Sequence, residues 1–67
     1  MNKDRIEADA GTICHLLAFN GELSVTDLRK YSDIPATFLF LALGWLLRDD
    51  KIRFIETKGA VYVVLHG

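Results

Sequence analysis

The chain has 67 residues, 51% of them hydrophobic and 25% charged, and eight basic against nine acidic side chains give a net charge of −1. That length supports one domain, residues 1–67, in which folding hides only about 60% of the unfolded chain's surface, and the apolar content excludes intrinsic disorder. One cysteine and two histidines exclude a disulfide framework and a closed four-ligand zinc site, while the balanced charge excludes the overall basic field of a general nucleic-acid binder.

From Asp4 to Asn20 the apolar residues Ile6, Ala10, Ile13 and Leu17 recur at steps of three and four, which marks one face of a first helix. Asp4, Glu7 and Asp9 fall in its opening turns, near the positive end of the helix dipole, and Asn20-Gly21 supplies a left-handed stop. Gly11 costs about 1 kcal/mol relative to alanine inside a helix, a cost best tolerated where a neighbouring backbone packs close. Cys14 reads as a small packed residue, because nothing basic surrounds it to activate a thiolate.

Glu22-Leu23-Ser24 is too short to read alone, but Ser24-Val25-Thr26-Asp27 has the capping-box pattern that opens a second helix, running to about Lys30 or Tyr31. Val25 and Leu28 point inward from that helix, and Leu23 is placed to staple onto Leu28. Ser32-Asp33-Ile34-Pro35 is a turn, since a residue before proline leaves the helical region while proline itself suits a first helical position. The third helix spans Pro35 to Arg48.

Beyond Asp49-Asp50 the apolar period drops from 3.6 to 2. Ile52 to Glu56 and Ala60 to Leu65 read as two strands joined through Thr57-Lys58-Gly59. Both alternations of the second strand are apolar, which leaves the register of the hairpin open. His15 falls at the edge of the first helix and His66 at a fraying end, neither with a ligand cluster around it. The longest uncharged stretch, Pro35 to Leu47, has 13 residues, short of the ~20 that cross a bilayer. No signal-peptide pattern opens the chain, and a lone cysteine suits a cytoplasmic protein.

Helix, short strand, helix, turn, helix and hairpin is the order of a winged helix-turn-helix, an α+β fold. The run Leu39-Phe40-Leu41-Ala42-Leu43-Gly44-Trp45-Leu46-Leu47-Arg48-Asp49-Asp50-Lys51-Ile52 resembles the third helix and first wing strand of such domains, with Ala42-Leu43, Leu46 and Ile52 where they bury residues. More narrowly, Gly21-Glu22-Leu23-Ser24-Val25 followed by Leu41-Ala42-Leu43-Gly44-Trp45-Leu46 is similar to a family of small, stand-alone prokaryotic winged-helix proteins of unknown function. The resemblance implies a fold but no role. The chain departs from the usual pattern at Ile34-Pro35, where a polar cap is common, and has no charged residue in its third helix before Arg48.

Stepping about 100° per residue from Leu39 sends Leu43 and Leu46 inward and Thr37, Phe38, Leu41, Gly44, Trp45 and Arg48 outward. A base-reading helix presents Arg, Lys, Asn or Gln there. Phe38, Leu41 and Trp45 instead stand at i, i+3 and i+7, the spacing of anchors that dock on a protein partner. The leading expectation is therefore a non-enzymatic homodimer with Phe38, Leu41 and Trp45 in its interface. In the competing reading this helix, apolar on all sides, is covered within its own domain beneath the wing and the first helix.

The alternative function is a small DNA-binding regulator. Arg48, Lys51, Arg53 and Lys58 lie at the end of the third helix and along the wing, within reach of phosphates, but Asp49, Asp50 and Glu56 are interleaved and leave residues 48–67 at +1 (four positive, three negative). No glycine-rich phosphate loop, paired carboxylates or nucleophile-base constellation is present. So short a chain is not expected to build a pocket of the usual few hundred Å³. Neither a metal, a cofactor, a small-molecule ligand nor a membrane partner is implied.

Overall fold

The structure, a computed structural model, describes residues 3–66. Its elements run α1 (Lys3–Asn20), β1 (Glu22–Ser24), α2 (Val25–Ser32), α3 (Ala36–Arg48), β2 (Ile52–Thr57) and β3 (Ala60–Leu65). The order is that of the winged helix, as the pattern of apolar residues predicts. The three strands form one antiparallel sheet in the order β1-β3-β2, and the three helices pack on one of its faces.

Each helix stops for a local reason. Gly21 takes a left-handed φ of 86° directly after α1, while Asn20 Nδ2 donates to the Leu16 carbonyl at 2.7 Å. At the start of α2 the Ser24 hydroxyl accepts the Asp27 N–H at 3.0 Å, so one of the four unpaired N–H groups of that end is satisfied. The turn into α3 is set by Asp33, left-handed at φ 58°, whose N–H donates to the Arg29 carbonyl, and by the Ser32 hydroxyl, which accepts from Ile34 N. Pro35 precedes α3 without a side-chain cap. At the far end of α3 the N–H groups of Asp50 and Lys51 donate to the carbonyls of Leu47 and Leu46, with Asp50 left-handed at φ 59°. This is a Schellman closure with aspartate where glycine is usual.

The hairpin register left open by the sequence is Phe54 opposite Val63 and Thr57 opposite Ala60. The turn therefore holds two residues, Lys58 and Gly59, with Gly59 at φ +87°, and Thr57 belongs to β2. Leu23, Val63, Phe54 and Ile52 share the inner face of the sheet. Val63 lies opposite both Leu23 and Phe54 and is fully buried, together with Ile13, Leu17, Leu28, Leu39 and Ile52.

Three expectations need correction. Among the described residues no neighbouring backbone packs close at Gly11, where an added Cβ would meet nothing within 4 Å. Asp9, expected only as a dipole partner, is 8% exposed and holds Arg5 Nε at 2.7 Å. His66 is not a fraying end: its N–H donates to the Lys51 carbonyl at 2.9 Å and its ring bridges two residues of the α3–β2 turn and β2. The Ser24 cap ties β1 to α2, and Ser24→Ala is expected to lower the unfolding free energy by about 1 kcal/mol, read as a lower urea midpoint at unchanged m-value.

Candidate functional site

The surface in question is built around α3. Leu39, Ala42, Leu43 and Leu46 are its buried face, as the 100° stepping predicts. The two flanks of that face differ. Phe38 and Trp45 lean toward α1, half-buried and packed on the core. Arg5 stacks on the Phe38 ring with its guanidinium carbon 4.1 Å from the centroid, and Lys3 Nζ lies 5.9 Å from that of Trp45. The expectation that Phe38 and Trp45 point away from the domain is thus corrected. An α1 of 18 residues is about 27 Å long, and its first turn reaches over that flank.

On the opposite flank the described residues leave Phe40 60% and Leu47 47% exposed. Leu41, on the outward face between the two flanks, is 38% exposed, as expected. Thr37, Gly44 and Arg48 complete the outward surface. Phe40 and Leu47 are not singled out by the sequence pattern, although each stands only about 80–100° from Leu39. The signal that finds them is the neighbour: the β2–β3 hairpin stands across an open groove from this flank, while α1 closes the other.

Between α3 and the hairpin lies an open groove of about 1000 Å³. Val25, Phe40, Leu43 and Gly44 line one side, and Phe54 and Val61 the other. It is larger than the chain length suggests because it is a trough between two elements and not an enclosed cavity. Its charged lining is limited to Glu56. A trough of this kind suits an apolar protein element better than a small molecule, which needs to be largely surrounded. A second, smaller cleft of about 250 Å³ lies beside α1, against Cys14, Trp45 and Lys51. Cys14 is half-buried against the core.

The four basic residues singled out from the sequence are all exposed. Arg48 ends α3, Lys51 follows it, Arg53 lies on β2 and Lys58 forms the hairpin tip. Asp49, Asp50 and Glu56 are exposed among them. Arg53 is engaged within the chain: its Nη2 donates to His66 Nε2 at 2.8 Å. Arginine only donates, so Nε2 is the acceptor and the ring proton sits on Nδ1, which donates to the Asp50 carbonyl at 3.0 Å beside the Asp50 carboxylate at 3.1 Å. Among the described residues no three histidine, cysteine or carboxylate groups gather as metal ligands, and no helix is long and apolar enough to cross a membrane.

Residues 1–65 match the family described as Winged helix-turn-helix domain (DUF2582). The solution structure of protein BT2368 from Bacteroides thetaiotaomicron is similar, with a TM-score of 0.82 at 26% identity over 97% of this chain and 79% of that one. Two structures of HlyU from Vibrio cholerae are also similar. The reduced form has a TM-score of 0.70 at 27% identity over 98% of this chain, which spans 63% of that one; the other has 0.69 at 25% over 100% and 83%. No curated protein matches the sequence significantly.

The two flanks of α3 predict opposite responses to substitution. Trp45→Ala is expected to destabilise the fold by about 2 kcal/mol, below the range for a fully buried aromatic, whereas Phe40→Ser is expected to shift it by less than about 0.5 kcal/mol. Chemical denaturation of dilute protein checks both.

Proposed function

We propose, from the premise that the chain belongs to the DUF2582 winged helix-turn-helix family, that it is a single non-enzymatic module of the cytoplasm whose α3 makes protein contacts, and that it acts as a homodimer. The observation that carries this reading is the outward surface of α3. Phe40, Leu41 and Leu47 are exposed there beside one charge, Arg48. Phe40 is continuous through the groove with Phe54 and Val61, so the apolar area is a patch and not a scatter of single residues. Apart from Thr37 and Arg48, the latter at the very end of the helix, this surface offers no side chain that bonds base edges. Of the three anchors named from the sequence, Leu41 stands within the patch, while Phe38 and Trp45 form its α1-side border and contribute their exposed edges.

A second reading has its own support. The family fold is that of winged-helix domains, and Arg48, Lys51, Arg53 and Lys58 are all exposed along one end of α3 and the wing. In this alternative the protein is a DNA-binding regulator that grips phosphates. Four such contacts give a log-log salt slope of about −3.6 on any duplex, because about 0.9 counterions are released per phosphate neutralised.

Light scattering coupled to size exclusion separates the two. The protein-contact reading predicts twice the 7.6 kDa chain mass for the wild type and a single-chain mass for Phe40→Glu with the thermal midpoint of the monomer retained. A wild type that stays monomeric at high concentration and binds random duplex with the steep salt slope overturns it in favour of the second.

A further inference from the structure

We infer that the occupant of the α3 patch is a second copy of this chain in one register, with the two α3 helices crossing antiparallel on a two-fold axis through Gly44. This rests on the reading of α3 as a protein-contact helix and adds which residues meet. The outward residues run Thr37, Phe40, Leu41, Gly44, Leu47, Arg48, of which Phe40 and Leu41 stand four and three positions before Gly44 and Leu47 and Arg48 three and four after it. A two-fold at Gly44 therefore sets Leu41 against the partner's Leu47, and Phe40 against the partner's Arg48. Both matches are favourable: apolar against apolar, and guanidinium over an aromatic face. The chain already uses the second pairing internally, where Arg5 lies 4.1 Å over Phe38.

Gly44, like Gly11 on α1, is a helix glycine that its own fold does not explain, and Gly44 is the one on the apolar stripe. Glycine is the poorest ordinary choice for a helix interior, yet Gly44 has no left-handed φ, and a Cβ there would meet nothing within 4 Å. A missing side chain on an otherwise apolar outward stripe is of use when another backbone approaches closely. Charge agrees with the antiparallel sense. The stripe carries Arg48 and no acid, and this crossing holds the two Arg48 Cα positions roughly 12 Å apart along the helix axes, each over a ring instead of over the other.

The area is of the right order. Phe40, Leu41 and Leu47, with Phe54 across the groove, expose on the order of 300 Å² of apolar surface per copy. That is about half of the ~600–800 Å² per partner of a small specific interface, the remainder falling to its polar rim. The open groove of about 1000 Å³ beside Phe40 and Gly44 gives the second helix a seat.

The test uses the full chain with two substitutions at Gly44. Gly44→Cys in a Cys14→Ser background is expected to form a disulfide-linked dimer on mild oxidation, since residues on a close two-fold come within the ~4.4–6.8 Å Cα separation that a disulfide needs. Thr12→Cys, exposed on α1, is expected not to cross-link in the same background. Gly44→Gln is expected to raise the dimer dissociation constant about tenfold or more by overpacking the crossing, without lowering the thermal midpoint of the monomer. A wild-type dimer in which Gly44→Cys fails to cross-link and Gly44→Gln associates normally overturns the register and leaves the protein-contact reading standing. A wild type that is monomeric throughout overturns both.

Discussion

The first turn of α1 lies across one flank of α3, and that contact decides what the rest of the surface is left to do. Asp9 holds Arg5 at 2.7 Å, and the guanidinium so fixed covers Phe38 while Lys3 sits beside Trp45. An exposed cation–π pair of this kind contributes about 0.5–1 kcal/mol. Its larger effect is geometric, because it closes the α1 side of a helix whose mean composition is apolar on every side. Among the described residues α1 is the element that covers this flank of α3, while β2 packs on its buried face. The hairpin stands off on the other side and leaves Phe40 and Leu47 in solvent, a cost that a partner would relieve.

Much of the fold is legible in the sequence because local and tertiary preferences agree there. The stripe Ala10, Ile13 and Leu17 is buried as read, Ser24 caps α2, and Ile34-Pro35 separates α2 from α3. What the sequence does not settle is decided by neighbours distant in the chain. The register of β3 is fixed by Val63 sitting between Leu23 and Phe54, a choice invisible when both faces of the strand are apolar. The flank of α3 that becomes surface is likewise set by the reach of α1, so the stepping rule finds the buried face and Leu41 but places Phe38 and Trp45 outside and passes over Phe40. Cα periodicity gives a direction around a helix and no information on what stands there.

The wing is more tightly bound to the body than its terminal position suggests. His66 joins Asp50, in the strained left-handed closure of α3, to Arg53 on β2, and its backbone pairs with Lys51. Three of the residues that a DNA-binding wing would use, Arg48, Lys51 and Arg53, thus surround one joint between α3 and the hairpin. Their exposure is compatible with phosphate contact, but the acids among them lower the field they present, and the hydrogen bond to His66 holds the Arg53 guanidinium within the chain. On α3 itself, recognition by a winged helix would need polar side chains where this chain has phenylalanine and leucine. The fold and the surface chemistry point in different directions, and the proposed function rests on the surface.

The central claim, that α3 turns its outward face to protein, is tested most directly by amide NMR spectra of the protein recorded across a wide concentration range and then with duplex DNA. The account predicts concentration-dependent shifts confined to residues 37–48 and the groove side of the hairpin, with DNA leaving the α3 amides in place. Spectra that do not change with concentration, together with DNA-induced shifts along α3, would contradict it.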